Sequence, residues 1–287
     1  MNPQFPLYIV SKGRHESRLT VKTLEAMNVT YRIIVEPQEY NAYASVIDKA
    51  KILQLDMSFK DKYDTFEETD GIKATGSGPA RNFAWEHSLS IGAKWHWVMD
   101  DNIRYFYRFN KNMKIPVSDG TMFRCAEDFV QRYENVVMAG PQYHFFAPRK
   151  SKLHPFILNT RIFSCNLIRN DIPFRWRGRY NEDVDLSIRI LKAGYCTVLF
   201  NTFLQGKMNT LKMKGGNTDT IYQNGTMNKS SMIVKMHPDI CELKYKFGRV
   251  HHHCDLTKFK DNSLVFKKNI EIKDTVNNYG MTLKKIK

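Results

Sequence analysis

Nine residues, Trp95-His-Trp-Val-Met-Asp-Asp-Asn-Ile103, constrain the fold of this chain more than any other stretch. An apolar, aromatic run of strand character stops abruptly at two carboxylates and an amide. Unbroken apolar character marks a strand covered on both faces, as in an α/β sheet flanked by helices. Open sheets of that kind bind ligands beyond the carboxyl ends of their strands, where Asp100, Asp101 and Asn102 fall. Oxygen ligands there suit a hard divalent cation, Mg²⁺ or Mn²⁺, which can bridge to a diphosphate. Asp-Asp-Asn is also an ordinary turn, and the segment alone leaves both readings open.

The bulk properties narrow the class. A chain of 287 residues, 42% hydrophobic and 13% aromatic, can bury one large core and is not a disordered polymer. No apolar run approaches the roughly 20 residues that cross a bilayer. The opening Met-Asn-Pro-Gln-Phe-Pro lacks the charge and apolar stretch of a secretion signal, so a soluble cytoplasmic protein is expected. Five scattered cysteines without a Cys-x-x-Cys pair argue for reduced thiols, with Cys165 and Cys196 in the core, over disulfides or structural zinc. Lysine and arginine (44) outnumber the acids (29), giving +15. That balance suits a polyanionic partner, nucleic acid first, although a merely basic surface has the same count.

In chain order, Pro6–Val10 reads as a strand, Ser17–Met27 as a helix and Tyr31–Val35 as a second strand, which together make a βαβ unit. Its first turn, with Ser11, Lys12 and Arg14, is where a nucleotide would sit, and Arg14 and Glu36 can bracket a base or ribose. A helix is expected around Tyr43–Leu55. Gly76-Ser-Gly78-Pro79 opens a further helix whose N-terminal turn carries Arg81 and Asn82, with glycines that permit close backbone approach. Arg104-Tyr-Phe-Tyr-Arg108 alternates aromatic and basic residues, as an edge strand or a nucleic-acid contact would. Strands are expected at Val136–Gly140, followed by a turn at Pro141–Phe146, and again at Arg161–Ile168 and Tyr195–Phe203.

A second dense motif is Arg175-Trp176-Arg177-Gly-Arg179-Tyr-Asn181-Glu182-Asp183-Val-Asp185. Asn181 can cap the helix that follows, and acids in a first turn suit its dipole. That accounts for one or two acids; a carboxylate facing the Asp100–Asp101 pair would also serve as general base for a hydroxyl nucleophile. Lys212–Asp219, with Gly215, Gly216 and Asn217, has the composition of an anion-binding loop or a plain surface loop. His251, His252 and His253 can supply an imidazole to a metal near Asp101. The Lys-rich stretch 256–287 reads as an extension to a domain spanning 1–255.

The ordered set Ile9–Arg14, Gly78–Asn82, Trp97–Ile103, Trp176–Asp185, Gly215–Asn217 and His251–His253 resembles GT-A-type glycosyltransferases, most of all the TET-associated glycosyltransferases of bacteriophages. The resemblance runs from about Leu7 to about Asp255. It implies a Rossmann-type mixed sheet flanked by helices, a UDP-sugar donor, a divalent metal (Mn²⁺ or Mg²⁺), and an acceptor hydroxyl on a hydroxymethylated pyrimidine, such as 5-hydroxymethylcytosine, in DNA. It also implies the host bacterial cytoplasm for a phage-encoded chain. On matching positions Asp101 would bind the metal with a histidine from 251 to 253, and Asp100 would contact the ribose or assist. Ser11, Lys12, Arg14, Glu36, Gly78, Arg81, Asn82 and Gly215–Asn217 would hold the donor. Asp183, beside Glu182, would be the base of an inverting reaction. Arg104, Arg108, Arg175, Trp176, Arg177 and Arg179 would hold DNA around a flipped base. Asn102 departs from the Asp-x-Asp pattern of the metal-binding enzymes. Two other readings share features with this one: a glycosyltransferase with a polysaccharide, lipid or protein acceptor, and a non-enzymatic basic DNA-binding protein. The second gives no reason for clustered acids, which repel phosphate.

Overall fold

The opening residues form a βαβ unit, with β1 (Leu7–Val10) and β2 (Arg32–Val35) parallel and joined through α1 (Leu19–Ala26). In the computed structural model, which describes residues 1–66, 74–149, 153–208, 227–246 and 248–268, this unit seeds a ten-stranded sheet. β3 (Ile52–Gln54) lies outside β2 and β4 (Trp95–Asp100) lies inside β1, all parallel. Beyond β4 the direction reverses. β9 (Cys165–Arg169) runs antiparallel to β4 and to β7 (Val136–Tyr143), and β10 (Cys196–Lys207) runs parallel to β7. β5 (Ile103–Asn110) and β6 (Met113–Pro116) complete the far side, while β8 (Phe156–Leu158) branches from β10. This is the mixed sheet that the GT-A resemblance implies.

Why β4 carries no polar alternation is now clear. Trp97 and Met99 pack toward α1 and α5 (Thr121–Val130), with Phe106 and Phe123. Val98 faces the opposite layer, with Trp85 of α4 (Gly78–Ser90) and Leu186 and Ile190 of α6 (Glu182–Lys192). Successive side chains of a strand point to opposite faces, so both must be apolar when both are covered. A third apolar cluster, with Ile188, Met232 and Ile233, joins α6 to α7 (Met227–Met236) and to a hairpin of β11 (Cys241–Lys246) and β12 (Arg249–Cys254).

Several expectations are corrected. The helix expected at Tyr43–Leu55 gives way to α2 (Tyr40–Ala44), a 3-10 turn at Lys49–Lys51 and β3, where Ile52 and Leu53 pair in parallel with Ile33 and Ile34, with a short α3 (Ser58–Asp61) beyond. The aromatic-basic strand β5 is interior, with β6 outside it. β7 runs on through Pro141 to Tyr143, and β9 begins only at Cys165. Cys241 and Cys254, expected as free thiols, form a disulfide across the hairpin, where the strand register sets them opposite each other. Cys165 and Cys196 are buried and free. Within the Lys-rich stretch, Asn262 donates to the Leu191 and Tyr195 carbonyls (2.9 Å each), and Phe266 packs on Tyr133. No described helix is long and apolar enough to cross a membrane.

The fully buried Asp185 fastens the loop before α6 to α7. It accepts from Arg177 (3.1 Å), Arg189 (2.7 Å) and His237 Nε2 (2.9 Å). Burial would raise its carboxyl, but His237 and the arginines outweigh burial and hold it below the usual range. Removing one member of such a buried set strands the others. Asp185→Asn is therefore expected to destabilise the fold by about 3 kcal/mol, read from urea denaturation midpoints; an unchanged midpoint would contradict the role.

Candidate active site

The carboxyl ends of β1, β2 and β4 open into one cavity of about 500 Å³, a size that suits a small organic ligand. Ser11, Glu36, Asp100 and Asp101 all line it. Asp101 accepts from Ser11 Oγ (2.6 Å) and pairs with Arg14 (2.5 Å). Asp100 pairs with Arg81 of α4 (2.5 Å) and with Lys207 at the end of β10 (2.6 Å). Burial would raise the Asp100 carboxyl, but Lys207 and Arg81 overcome it and hold the group at about 2. A register shift between Gly206 and Lys207 bends β10 at this point, as bulges beside functional sites do.

The second acidic pair enters from the first turn of α6. Asn181, just before it, adopts a left-handed conformation (φ 55°) and does not cap the helix as expected; its Nδ2 donates to the Lys229 carbonyl (2.6 Å). Glu182 is held by Ser77 Oγ (2.6 Å) and approached by Arg81 Nε (3.6 Å). Asp183 has no side-chain hydrogen bond or ion pair among the described residues, its carboxylate accepting only from the Val184 amide (2.9 Å). Desolvation, then the neighbouring Glu182 charge, raise its pKa to about 6 against the pull of Arg81, Lys229 and Lys207. Asp101 and Asp183, far apart in the chain, line the same cavity.

The other expected residues divide sharply. Glu36 is neutralised by Lys12 (2.9 Å) and Lys60 and so is less free to grip a ribose. Gly78 does permit close approach, but to a side chain: a Cβ there would lie 1.8 Å from the Tyr63 hydroxyl. Asn82 clamps the Trp176 backbone from both sides (3.0 and 2.9 Å) and does not line the cavity. Within 175–179, the stretch expected to hold DNA, each side chain also has a role inside the fold. Trp176 is buried under the Arg81 guanidinium (4.9 Å), Arg175 pairs with Glu86, Arg177 with Asp185, and Arg179 is buried. Arg104 and Arg108 remain exposed on β5. His251 and His252 line the cavity, whereas His253 is exposed outside it. Gly215, Gly216 and Asn217 lie outside the described residues.

Cavity residues that the sequence did not single out include Lys60, Tyr143, Phe145, Phe146, Arg161, Phe163, Ser164, Lys207 and Lys229. Single lysines and phenylalanines scattered along a basic, aromatic chain carry no local signal of a site.

Whether the residues fit the expected metal is decided by their partners. Among the described residues no three His, Cys, Asp or Glu side chains gather as ligands. Asp101 is engaged by Arg14 and Ser11, and Asp100 by two cations, so this donor set does not fit a divalent ion as arranged. Cations dominate instead: Lys12, Arg14, Lys60, Arg81, Arg161, Lys207 and Lys229 outnumber the cavity's five acids. Such a lining favours a diphosphate through its own side chains.

Residues 5–216 match the model of the TET-Associated Glycosyltransferase family, well over half of the chain. No curated protein matches it. The cationic lining makes a direct prediction. Calorimetric titration with inorganic pyrophosphate is expected to show binding that survives EDTA, weakens as salt rises, and falls at least about tenfold in Lys207→Met, the loss of one charge-assisted contact of ~1.5–3 kcal/mol. Binding that vanishes in EDTA would restore the metal.

Proposed function

Because the chain belongs to the TET-associated glycosyltransferase family, and is therefore a glycosyltransferase, we propose that it moves a sugar from a nucleotide-sugar donor, a UDP-sugar, to the hydroxyl of a hydroxymethylated pyrimidine in DNA. The observation that carries this reading is Asp183: a carboxylate free of side-chain partners among the described residues, with its pKa raised to about 6, in the same cavity as Asp100, Asp101 and the lysines.

In this mechanism Asp183 takes the proton of the acceptor hydroxyl as its oxygen attacks the anomeric carbon of the donor. The bond from that carbon to the diphosphate oxygen breaks, and the nucleoside diphosphate departs with the electron pair. Lys207 and Lys229 offset the charge that develops on the leaving group. Attack from the face opposite the leaving group inverts the anomeric centre. Glu182, held by Ser77 and near Arg81, keeps the Asp183 pKa up rather than taking the proton itself. The donor's nucleotide lies toward Ser11, Arg14 and Glu36. No step passes through a metal. The +15 charge favours a nucleic-acid acceptor over a polysaccharide, lipid or protein.

The deciding experiment offers DNA carrying 5-hydroxymethylcytosine or 5-hydroxymethyluracil with a panel of nucleotide sugars, with Mn²⁺ or EDTA, and weighs the nucleosides by mass spectrometry. A hydroxymethyl nucleoside gaining one sugar is expected; label on glycan or peptide acceptors alone would move the reading to another substrate class. Asp183→Asn is expected to lower kcat by ~10²–10⁴ while UDP affinity stays near wild type. Since the base must be ionised, kcat/KM is expected to be level above pH about 6 and to fall about tenfold per pH unit below it. A profile without that acid limb would remove Asp183 from the chemistry.

A further inference from the structure

Two adjacent phenylalanines, Phe145 and Phe146, stand 49% and 58% exposed on the turn that follows β7. Both line the cavity that holds Asp183. Water disfavours such a pair, and apolar side chains kept together in the open at a cavity mouth mark a contact surface. The rings beneath them are layered. Tyr143 lies nearly parallel to Phe145 (centroids 5.2 Å apart, 13°) and to Phe163 (5.6 Å, 16°), and the Arg161 guanidinium covers Phe163 (5.4 Å). Phe146 stands tilted by 60° at 4.5 Å from Phe145. A stack of three rings thus ends in a half-exposed aromatic group with a second ring as its side wall.

The stack is anchored to the reaction centre. The Tyr143 hydroxyl bonds to Ser164 Oγ (2.7 Å), and Ser164 Oγ accepts from Lys207, the partner of Asp100. Cations flank the turn: Lys114 donates to the His144 carbonyl (2.5 Å) and lies within electrostatic reach of exposed Arg149. A flat apolar face rimmed by positive charge complements a planar base on a phosphate backbone; a neutral glycan would use the rings and leave the cations idle.

We propose that Phe145 and Phe146 form the platform on which the acceptor pyrimidine stacks, turned out of the duplex, while its hydroxymethyl group reaches Asp183. This rests on the function proposed above and adds where the base is held. A base leaves its helix at the cost of its stacking partners, and the exposed rings replace them. The platform acts on the acceptor alone, so it separates from donor binding.

The test compares wild type, the Phe145→Ala/Phe146→Ala double variant and the Phe145→Tyr/Phe146→Tyr double variant. Transfer to duplex DNA carrying 5-hydroxymethylcytosine is measured with KM for DNA and kcat resolved, beside calorimetric UDP binding and the melting temperature. The alanine pair is expected to raise KM for DNA at least tenfold, with UDP affinity within twofold of wild type, and the tyrosine pair to restore most of the loss. Unchanged kinetics in the alanine pair overturn the platform, and so does an equal loss in the tyrosine pair, because stacking area is then irrelevant. Failure of the wild-type protein to glycosylate any hydroxymethylated DNA overturns instead the acceptor assignment on which the platform rests.

Discussion

A partly buried carboxylate at the end of the central strand organises this molecule. Asp100 would be costly to keep ionised there alone. Arg81 from α4 and Lys207 from β10 make it stable, and in doing so they fix where two distant elements end relative to β4. Arg81 is buried, and its remaining contacts run to Ser77, Glu182 and the Trp176 ring. One guanidinium thus ties the strand end, the α4 start and the α6 start together. A neutral residue at 81 would leave Asp100 and Glu182 facing each other across a cavity with less to separate their charges.

From that arrangement follows a division of labour between neighbouring acids. Glu182 lies within reach of a hydroxyl and a guanidinium, and Asp183 is left with only a backbone amide. Desolvation and then the Glu182 charge raise the Asp183 pKa, and this carboxylate becomes the group poised to accept a proton near neutrality. The left-handed Asn181 immediately before them aims the turn, and its side chain is spent on holding α7 rather than capping α6.

Charge in this protein serves two purposes that composition cannot distinguish. Arg175, Arg177 and Arg189 lie over rings or against buried acids, where they join the loop before α6 to the core. Lys207, Lys229 and Arg161 border the cavity, where an anionic ligand meets them. Only the second group bears on a diphosphate. The count of 44 lysines and arginines therefore overstates the cationic surface open to nucleic acid, since some of them are paired within the fold, and it is the net +15 left after such pairing that a polyanion meets.

The residues from Trp95 to Asp101 made the central strand and its acidic end legible, because a strand covered on both faces admits no polar alternation. The βαβ start, the Gly-Pro opening of α4 and the acidic start of α6 were equally local, each set by patterns within one short contiguous segment. The Cys241–Cys254 bridge was not, because it depends on the register of a hairpin, and neither was the burial of Trp176, because its neighbours in sequence are arginines. Lys207, Lys229 and the layered rings from Tyr143 to Phe163 come from separate segments, and nothing in any one segment records the others. The sequence by itself determined which strand ends in acid; the tertiary structure alone decided which cations and rings face it, since those contacts form only when distant segments close over the same sheet edge.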